Sequence, residues 1–484
     1  MSDARVARRA RSSWGARERI GALARVAGRH APFVVVLGTG IVLRGLVLVA
    51  YQPSLPFRNK DPYAYLERAI SMSPEGSYHP FLYPVILKPF LLAGAFPLVT
   101  VTQHLAALAT GVTLYALLRR FGVGAWLAAV GAAPVLLDGY QLAVEHQIFS
   151  ETFFELFAVT GLAVLTWNRT PSWWAVAVSG FVLGIAPLVR FTGLALVPAV
   201  LLYAAARRIG WARLAVLAAA VAVPLLTYAT WFKTETGSFA LTNRNGFYLY
   251  GRVASFADCR RVPVPSDERV FCPDRLESKP GRGLFKAGLP RRILRDPSYN
   301  DRAGSFARRM IRAMPERFVA AIAADLARYV GPREDQDFRK WRFPRHVGPR
   351  DRRHVPAGMH VRFRMSPRLA SPLRAWQQNV SLYGPLLGAL VALGLVGGLI
   401  GLLAKSSSSL GPETSLFALA ALGLMIFPTV FAVYHFRYSI PVIPFAGAAG
   451  ALGAHVTFGW LESLRWRRRS SSTPTGNPNR GTAA

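Results

Sequence analysis

Cysteine and acidic residues are scarce in this chain of 484 residues. It contains two cysteines, and its 25 Asp and Glu residues are outnumbered by 58 Lys and Arg residues, which gives a net charge of +33. Two cysteines exclude a disulfide-dense secreted scaffold, and without CxxC pairs or His clusters there is no zinc-binding signature. The first apolar run lacks the small-residue cleavage site of a signal peptide, so we interpret residues 1–31 as a basic arm on the cytoplasmic side of a first anchor.

Apolar sequence is abundant, since 52% of the residues are hydrophobic and they are gathered in blocks. Crossing a bilayer requires about 20 residues of helix, and the blocks approach that length. The sequence therefore predicts an all-α polytopic membrane protein with about 10 transmembrane helices. In such a protein the charge is divided between the two sides of the membrane, and we predict no nucleic-acid partner. The predicted spans are residues 32–51, 97–118, 122–138, 150–167, 173–189, 191–206, 213–231, 383–404, 414–434 and 438–459.

The distribution of Arg and Lys predicts the orientation, because basic residues near span ends stay in the cytoplasm. Such residues follow the even-numbered predicted spans, as at Arg119 and Arg120, so both termini are predicted to be cytoplasmic in a multi-pass protein of the plasma membrane. The predicted organisation is a seven-span module at 32–231 with a first outer loop at 52–96, a mixed extracytoplasmic loop at 232–382, a three-span module at 383–459 and a disordered cytoplasmic tail at 460–484.

The large outer loop is strongly basic. Residues 232–380 hold 31 Lys and Arg against 14 Asp and Glu, an excess of 17 positive charges, which is about half of the net charge of the chain. Long loops cross the membrane largely regardless of charge, and a basic outer surface suits anionic lipid headgroups or acidic glycans, or serves only to solubilise the loop. Both cysteines lie there, outside the reducing cytosol, so we predict a disulfide between Cys259 and Cys272.

The first outer loop contains a helix start with an acidic residue. Asp61 is predicted at the N-cap with Pro62 as the first helical residue, and Asp61, Tyr65 and Arg68 then share one helix face. The carboxylate either caps this helix only or carries chemistry. The apolar run after His79 contains prolines and Lys88, which favours a bent interfacial or re-entrant helix over a full span.

The second outer loop, residues 138–151, carries Glu145 and Glu151 at the membrane boundary. Acidic groups there are costly unless they are paired, hydrated or functional. Arg190 lies in a short outer turn, where positive-inside bias disfavours it, so it requires a partner. That partner is either a phosphate, which Arg binds with bidentate charge-assisted bonds, or a salt bridge to Glu145 or Glu151.

Two further outer segments carry cations next to aromatic residues. Arg244 follows the seventh predicted span, and the last outer turn reads YHFRYSIPVIP, with His435 and Arg437 flanked by tyrosines. Cations with tyrosines at a membrane edge suit an anionic headgroup, although tyrosines there also serve as interfacial anchors.

Taken in order, these segments resemble a known family. The sequence has an acidic first loop, HPFLYP before a helix, Ser-Glu before an apolar span, RFTG into another span, a GSF and NG segment after the seventh span, and RYSIPVIP near the end. Together they resemble the GT-C superfamily of integral-membrane glycosyltransferases, and within it the bacterial phospholipid-carrier-dependent mannosyltransferase and arabinosyltransferase-like group. The resemblance covers residues 32–250 and 430–459.

The resemblance implies inverting transfer of a hexosyl or pentosyl group from a polyprenyl-phosphate sugar donor. The acceptor is a hydroxyl of a cell-envelope glycan or lipoglycan, and the reaction takes place among membrane lipids on the extracytoplasmic face. Asp61 corresponds to the family's catalytic base, and the family's second-loop acid corresponds to Glu151 or Glu145. Many members have a second acid beside the base, where this chain has Pro62, so no metal ligands are assigned and a need for a divalent cation stays open.

The leaving group in such a reaction is a lipid phosphate, which needs charge stabilisation more than protonation. The residues expected to bind the substrate are Arg190, Arg244 and Arg437 as a phosphate clamp, His79 and His435 as hydrogen-bond donors, and Glu145.

Two other functions compete with this one. A lipid or glycan transporter or flippase would bury charge within its spans, and Arg44 in the first predicted span favours it. A non-catalytic envelope-assembly partner would use the basic loop to bind an anionic glycan.

Overall fold

The computed structural model describes residues 28–57, 60–74, 77–273, 289–331, 341–348, 355–356, 358–404 and 410–471. The basic arm therefore lies almost wholly outside the described residues, as do residues 472–484 of the predicted tail. Within the described chain, the last helix continues to Ser471, so residues 460–471 are helical where a disordered tail was predicted.

Helices dominate the described residues, and the two short strands β1 (Tyr51–Gln52) and β2 (Arg364–Met365) form an antiparallel pair. Single 3-10 turns lie at Phe191–Ala195, Arg269–Phe271, Pro297–Tyr299 and Phe436–Val442. The α-helices are α1 (Ala31–Ala50), α2 (Asp61–Ser71), α3 (Leu82–Leu92), α4 (Pro97–Arg120), α5 (Ala125–Leu137), α6 (Gly139–Glu145), α7 (Glu151–Thr166), α8 (Trp173–Val189), α9 (Leu196–Arg207), α10 (Trp211–Thr236), α11 (Asn245–Val253), α12 (Arg291–Arg295), α13 (Asn300–Ala313), α14 (Pro315–Val330), α15 (Pro367–Asn379), α16 (Gly384–Leu403), α17 (Gly411–Phe431) and α18 (Ile443–Ser471).

The prediction of an all-α polytopic membrane protein is confirmed. Each predicted span coincides with a helix, but length and hydropathy alone admit six crossings within the described residues, or seven if α5 and α6, bent by 48°, form one broken span. The difference from ten arises because α7, α8 and α9 are shorter than a bilayer crossing requires. Helix α3 has 11 residues, which agrees with a re-entrant or interfacial helix rather than a span.

Small residues allow the C-terminal helices to pack closely. Helices α16 and α18 make the most extensive helix pair, and a Cβ on Gly397 would lie 2.5 Å from the Cα of Gly453. A side chain at Gly397 would therefore push the two backbones apart. Between membrane helices, where there is no hydrophobic driving force, such close backbone approach supplies the packing energy.

The described parts of the large outer loop are chiefly helical rather than mixed. Helices α11 and α13 enclose a small core of their own, which includes Phe247, Phe271 and Phe306. The structure places the disulfide Cys259–Cys272 beside this core. The loop is thus a folded unit seated on the ends of the membrane helices.

One buried carboxylate connects this outer unit to the membrane helices. Asp325 of α14 is fully buried, and its Oδ2 accepts hydrogen bonds from Arg252 Nη1 at 2.5 Å and from the backbone N–H of Tyr434 at 3.0 Å. Tyr434 lies in the turn that follows α17. The outer helices therefore hold the backbone of that turn directly.

Candidate functional site

Four charged residues that are far apart in sequence meet where helices begin or end. Asp61 is the first residue of α2, Glu151 is the first of α7, and Arg190 follows α8 in an extended conformation. Arg437 lies in the 3-10 turn between α17 and α18, where Pro428 and Pro441 break the helical hydrogen bonding. Because these helix termini share one end of the bundle, the four side chains come together there.

These side chains form a continuous ion-pair network. Arg437 bridges the two acids, with Nη1 at 2.6 Å from Asp61 Oδ2 and Nε at 2.7 Å from Glu151 Oε1. Arg190 Nη1 lies 2.8 Å from the same Glu151 oxygen and donates to Ser150 Oγ at 3.3 Å. Two guanidinium groups and two carboxylates thus balance each other, which allows them to be buried together.

Burial differs sharply within the network. The Glu151 side chain is fully buried, whereas 32% of the Asp61 side chain is exposed. Glu151 is therefore placed to hold the two arginines in position. Asp61 is the more accessible of the two carboxylates.

The surroundings of Asp61 keep it ionised. Burial, the largest single effect, would raise its pKa, but the charges and hydrogen bonds of Arg437 and His79 together outweigh it; His79 Nε2 lies 3.7 Å from Oδ1. The net result is a pKa of Asp61 well below its usual range. Asp61 is a proton acceptor at neutral pH, but a weak one while Arg437 is bound to it.

An apolar cavity of about 240 Å³ opens beside this network. Arg190, Arg437 and His79 line this cavity, and the two carboxylates of the network are not among its lining residues. Its lining also includes apolar side chains, among them Phe427 and Phe431 at the end of α17. The cavity therefore offers both cations and hydrocarbon contacts.

Aromatic residues fix the two guanidinium groups. Arg437 Cζ lies 4.5 Å from the centre of the Phe149 ring and 5.6 Å from that of Trp341, and Arg190 Cζ lies 5.7 Å from the Tyr438 ring. Such contacts restrain the guanidinium planes and favour their positive charge.

Tyr248 of α11 closes the cavity from the outer unit. Its hydroxyl donates to the backbone carbonyl of Tyr78. Burial raises the pKa of Tyr248 well above its usual value, and the nearby Tyr438 and the negative charge of Asp61 raise it further. Tyr248 therefore stays protonated and donates a hydrogen bond close to Asp61.

The structure brings together five of the predicted site residues: Asp61, His79, Glu151, Arg190 and Arg437. Arg244 lies one layer behind the cavity. It donates to Leu294 O at 3.2 Å and lies 5.3 Å from the centre of the Tyr78 ring, which lines the cavity. His435 does not line the cavity; its Nδ1 accepts from the backbone N–H of Arg437 at 3.3 Å.

Glu145 is separated from the cavity. It is fully buried within the bundle and pairs with Arg44 Nη2 at 2.8 Å and with His104 Nδ1 at 2.9 Å. Of the two candidates for the second-loop acid, Glu151 is therefore the one that contacts the site. Arg44 also donates to three backbone carbonyl groups, so its charge has a structural explanation.

Some residues of the site were not identified from the sequence. Tyr65 was predicted on the same helix face as Asp61, and its hydroxyl lies 3.1 Å from Ser150 Oγ. Ser150, Phe149 and Trp341 were not predicted as site residues, because single aromatic residues and serines are common at membrane edges. The helix assignment is also shifted by one residue, since Lys60 is the N-cap and Asp61 is the first helical residue.

The residues of this site do not fit a divalent cation. The guanidinium group of Arg437 lies between the two carboxylates, where a metal ion would have to be. Within the described part of the chain, no group of three or more His, Cys, Asp or Glu side chains is arranged to hold a metal ion.

Among solved structures, the chain is similar to the crystal structure of the Archaeoglobus fulgidus oligosaccharyltransferase in the apo form. The TM-score is 0.37 and the sequence identity is 12%, over 92% of this chain and 52% of that one, so this chain spans about half the length of that protein. A likeness of this degree assigns no activity to this chain. No family model and no curated protein sequence matches it.

Proposed function

We propose that this protein is a membrane glycosyltransferase that moves a sugar from a polyprenyl-phosphate donor to a hydroxyl group of an envelope glycan or lipoglycan. The observation that carries the proposal is the ion-pair network of Asp61, Arg437, Glu151 and Arg190, whose two arginines line an apolar cavity. The GT-C resemblance of the sequence supports the same reaction. We place this site on the extracytoplasmic face, with both termini in the cytoplasm.

The cationic and the apolar lining residues of the cavity match the phosphate and the lipid of such a donor. The phosphate would bind Arg190 and Arg437, since guanidinium groups bind phosphate oxygens with directed, charge-assisted hydrogen bonds. The first isoprene units would contact the apolar side chains of Phe427 and Phe431, and the rest of the lipid would continue along the helices. A lipid-anchored phosphate stays near the headgroup level, which is where helix termini place these arginines.

In the proposed reaction, the acceptor oxygen forms a bond to the anomeric carbon while the bond between that carbon and the phosphate oxygen breaks. The electron pair of the broken bond stays on the phosphate, where Arg190 and Arg437 stabilise it. The proton of the acceptor hydroxyl passes to a carboxylate oxygen of Asp61. General-base assistance of this kind contributes about 10²–10⁴ to the rate.

Arg437 links donor binding to the strength of this base. In the ion pair with Asp61, its guanidinium group lowers the pKa of that carboxyl, which makes the carboxylate a weak base. A bound phosphate competes with Asp61 for the same guanidinium group. Donor binding therefore raises the proton affinity of Asp61 at the step that needs it.

The test is Asp61→Asn with Glu67→Gln as the matched control. Glu67 is an exposed carboxylate on the same helix, and it accepts a long hydrogen bond of 3.5 Å from Tyr63. Each variant is expressed in a deletion strain of the native host, and polyprenyl-phosphate sugars and envelope glycans are measured by mass spectrometry. We expect Asp61→Asn to accumulate the lipid-linked sugar and to lose a glycan, as the deletion does, while Glu67→Gln behaves as wild type.

Full restoration by Asp61→Asn, at wild-type protein level in the membrane, would remove Asp61 as the base and would favour the non-catalytic assembly partner. A transporter was suggested by Arg44, and the partners of Arg44 in the bundle account for that residue without transport.

A further inference from the structure

A second cavity, of about 390 Å³, adjoins the first on the side of the outer unit. The two cavities share Thr242 and Asn245 in their walls. The second cavity is polar where the first is apolar. Its lining residues are Glu235, Thr236, Ser238, Ala240, Thr242, Asn243, Asn245, Pro297, Asn300 and Asp301.

A rigid wall between two helices of the outer unit forms one side of this cavity. Asn300 Oδ1 accepts from the backbone N–H of Gly246 at 2.8 Å, and Asn300 Nδ2 donates to Asn245 Oδ1 at 2.9 Å. Gly246 permits this contact, because a Cβ there would lie 1.9 Å from Asn300 O. The side chains of Asn245 and Asn300 are therefore held in place before any ligand binds.

The charge of this second cavity is negative although the loop around it is basic. Glu235 and Asp301 are its two charged lining residues, and neither Lys nor Arg is among the described residues that line it. The arginines next to the lining in sequence have other contacts: Arg244 donates to Leu294 O, and Arg302 Cζ lies 5.3 Å from the centre of the Tyr299 ring. One lining acceptor, Asn243 Oδ1, is buried and makes no hydrogen bond within the described structure.

We propose that the second cavity binds the acceptor, and that it selects an uncharged, hydroxyl-rich sugar over one that carries a carboxylate or phosphate. This inference rests on the proposed function, because the shared wall of Thr242 and Asn245 directs an acceptor hydroxyl towards the donor cavity.

The chemistry of the lining supports this choice. Hydroxyl, amide and carboxylate groups are the partners that sugar hydroxyls use, since each hydroxyl donates one hydrogen bond and accepts others. The buried Asn243 Oδ1 is an acceptor that a sugar hydroxyl would satisfy, and satisfying a buried polar atom is favourable. An anionic sugar would face two lining carboxylates, with neither Lys nor Arg among the described lining residues, and that repulsion opposes binding.

Saturation-transfer difference NMR on the full-length protein in lipid nanodiscs tests this without any donor. The neutral probes are the methyl glycosides of glucose, mannose, galactose and arabinose, and the anionic probes are methyl glucuronide and methyl galacturonide. We expect transfer to at least one neutral glycoside and a weaker affinity for both uronides. Equal or tighter binding of the uronides, or no binding of any neutral probe, would overturn the proposal.

Two isosteric changes test the charge directly. The double variant Glu235→Gln with Asp301→Asn removes both carboxylates, and we expect it to tighten uronide binding about fivefold or more. Glu316→Gln is the matched control, because Glu316 is exposed on α14 and lies outside the lining. An equal gain in the control and the double variant would show that only the overall charge matters, and it would refute selection by this cavity.

Filling the cavity locates the binding. Ser238→Trp places a large ring at the lining, and we expect it to abolish the signal of the neutral glycoside. An unchanged signal would place the sugar elsewhere and refute the proposal.

This outcome differs from a failure of the proposed function. If Asp61→Asn keeps full transfer while Ser238→Trp loses sugar binding, the catalytic assignment fails and the sugar site stands. If Asp61→Asn is inactive while no probe enters this cavity, the acceptor site fails and the transferase stands.

Discussion

Replacing Arg437 separates the structural role of the ion-pair network from its chemical role. Arg437→Leu leaves Asp61 without its guanidinium partner and leaves Glu151, which is fully buried, with Arg190 as its remaining partner at 2.8 Å. Removing one partner of a buried ion pair typically costs about 3–5 kcal/mol, because the other charge stays buried without full compensation. Since Arg190 still contacts Glu151, we expect about 3 kcal/mol, at the lower end of that range.

The compensating double variant is Arg437→Leu with Glu151→Gln. It leaves one carboxylate and one guanidinium group in the network, and the new amide can still accept from Arg190, so we expect part of the lost stability to return while transfer activity stays absent. Thermal unfolding in one fixed detergent measures the first quantity, and turnover of the lipid-linked sugar measures the second. Arg68→Leu is the control, because Arg68 makes a long hydrogen bond of 3.4 Å to Ser73 O and contributes no ion pair to the network.

Two results would refute this reasoning. If Arg437→Leu unfolds at the wild-type temperature, Arg437 does not compensate buried charge. If the double variant regains both stability and activity, the guanidinium group has no part in stabilising the leaving phosphate, and the phosphate clamp loses its central member.

Two further predictions concern acid and the disulfide. The depressed pKa of Asp61 means that its ion pair stabilises the fold above the unfolded carboxyl pKa of about 4. This stabilisation is lost as the pH falls through the lower pKa of the folded state, so the unfolding temperature should fall less steeply in acid for Asp61→Asn than for wild type. Parallel curves of unfolding temperature against pH would contradict this. Replacing Cys259 and Cys272 by Ser removes a disulfide that closes a loop with a sequence separation of 13, and this should destabilise the outer unit by about 3 kcal/mol. The loss is measured as faster proteolysis within residues 232–382. Equal protease resistance of the variant and the wild type would contradict the prediction.

Much of the fold could be predicted from the sequence because hydropathy reports directly on membrane helices. Each predicted span corresponds to a helix, and the prolines before Lys88 indicated that the run at 82–92 is no full span. The number of full crossings could not be predicted, because a short apolar helix such as α8 is equally hydrophobic whether it spans the bilayer or only enters it. The helices of the outer loop were not predicted, although Ala303, Phe306, Ala307 and Met310 of α13 are buried at helical spacing.

Part of the candidate site could also be predicted, and for a physical reason. Arg190 was singled out because an arginine in a short outer turn needs a partner, and the structure supplies Glu151. Arg437 was singled out for another reason, because a cation flanked by tyrosines at a membrane edge suits an anionic headgroup. The sequence could not separate Glu151 from Glu145, because both lie in one short loop. The bend of 48° between α5 and α6 directs Glu145 into the bundle, and such a bend depends on tertiary packing.

The contact of Asp325 has a consequence for how such a chain can evolve. The outer unit is inserted between the seventh and eighth predicted spans, and in chain order it resembles an exchangeable module. Its carboxylate nevertheless holds the backbone of Tyr434, three residues before Arg437. An outer unit transplanted from another protein would have to bring its own means of holding that turn. The outer unit and the last membrane turn are therefore expected to change together between species, as a single inherited part.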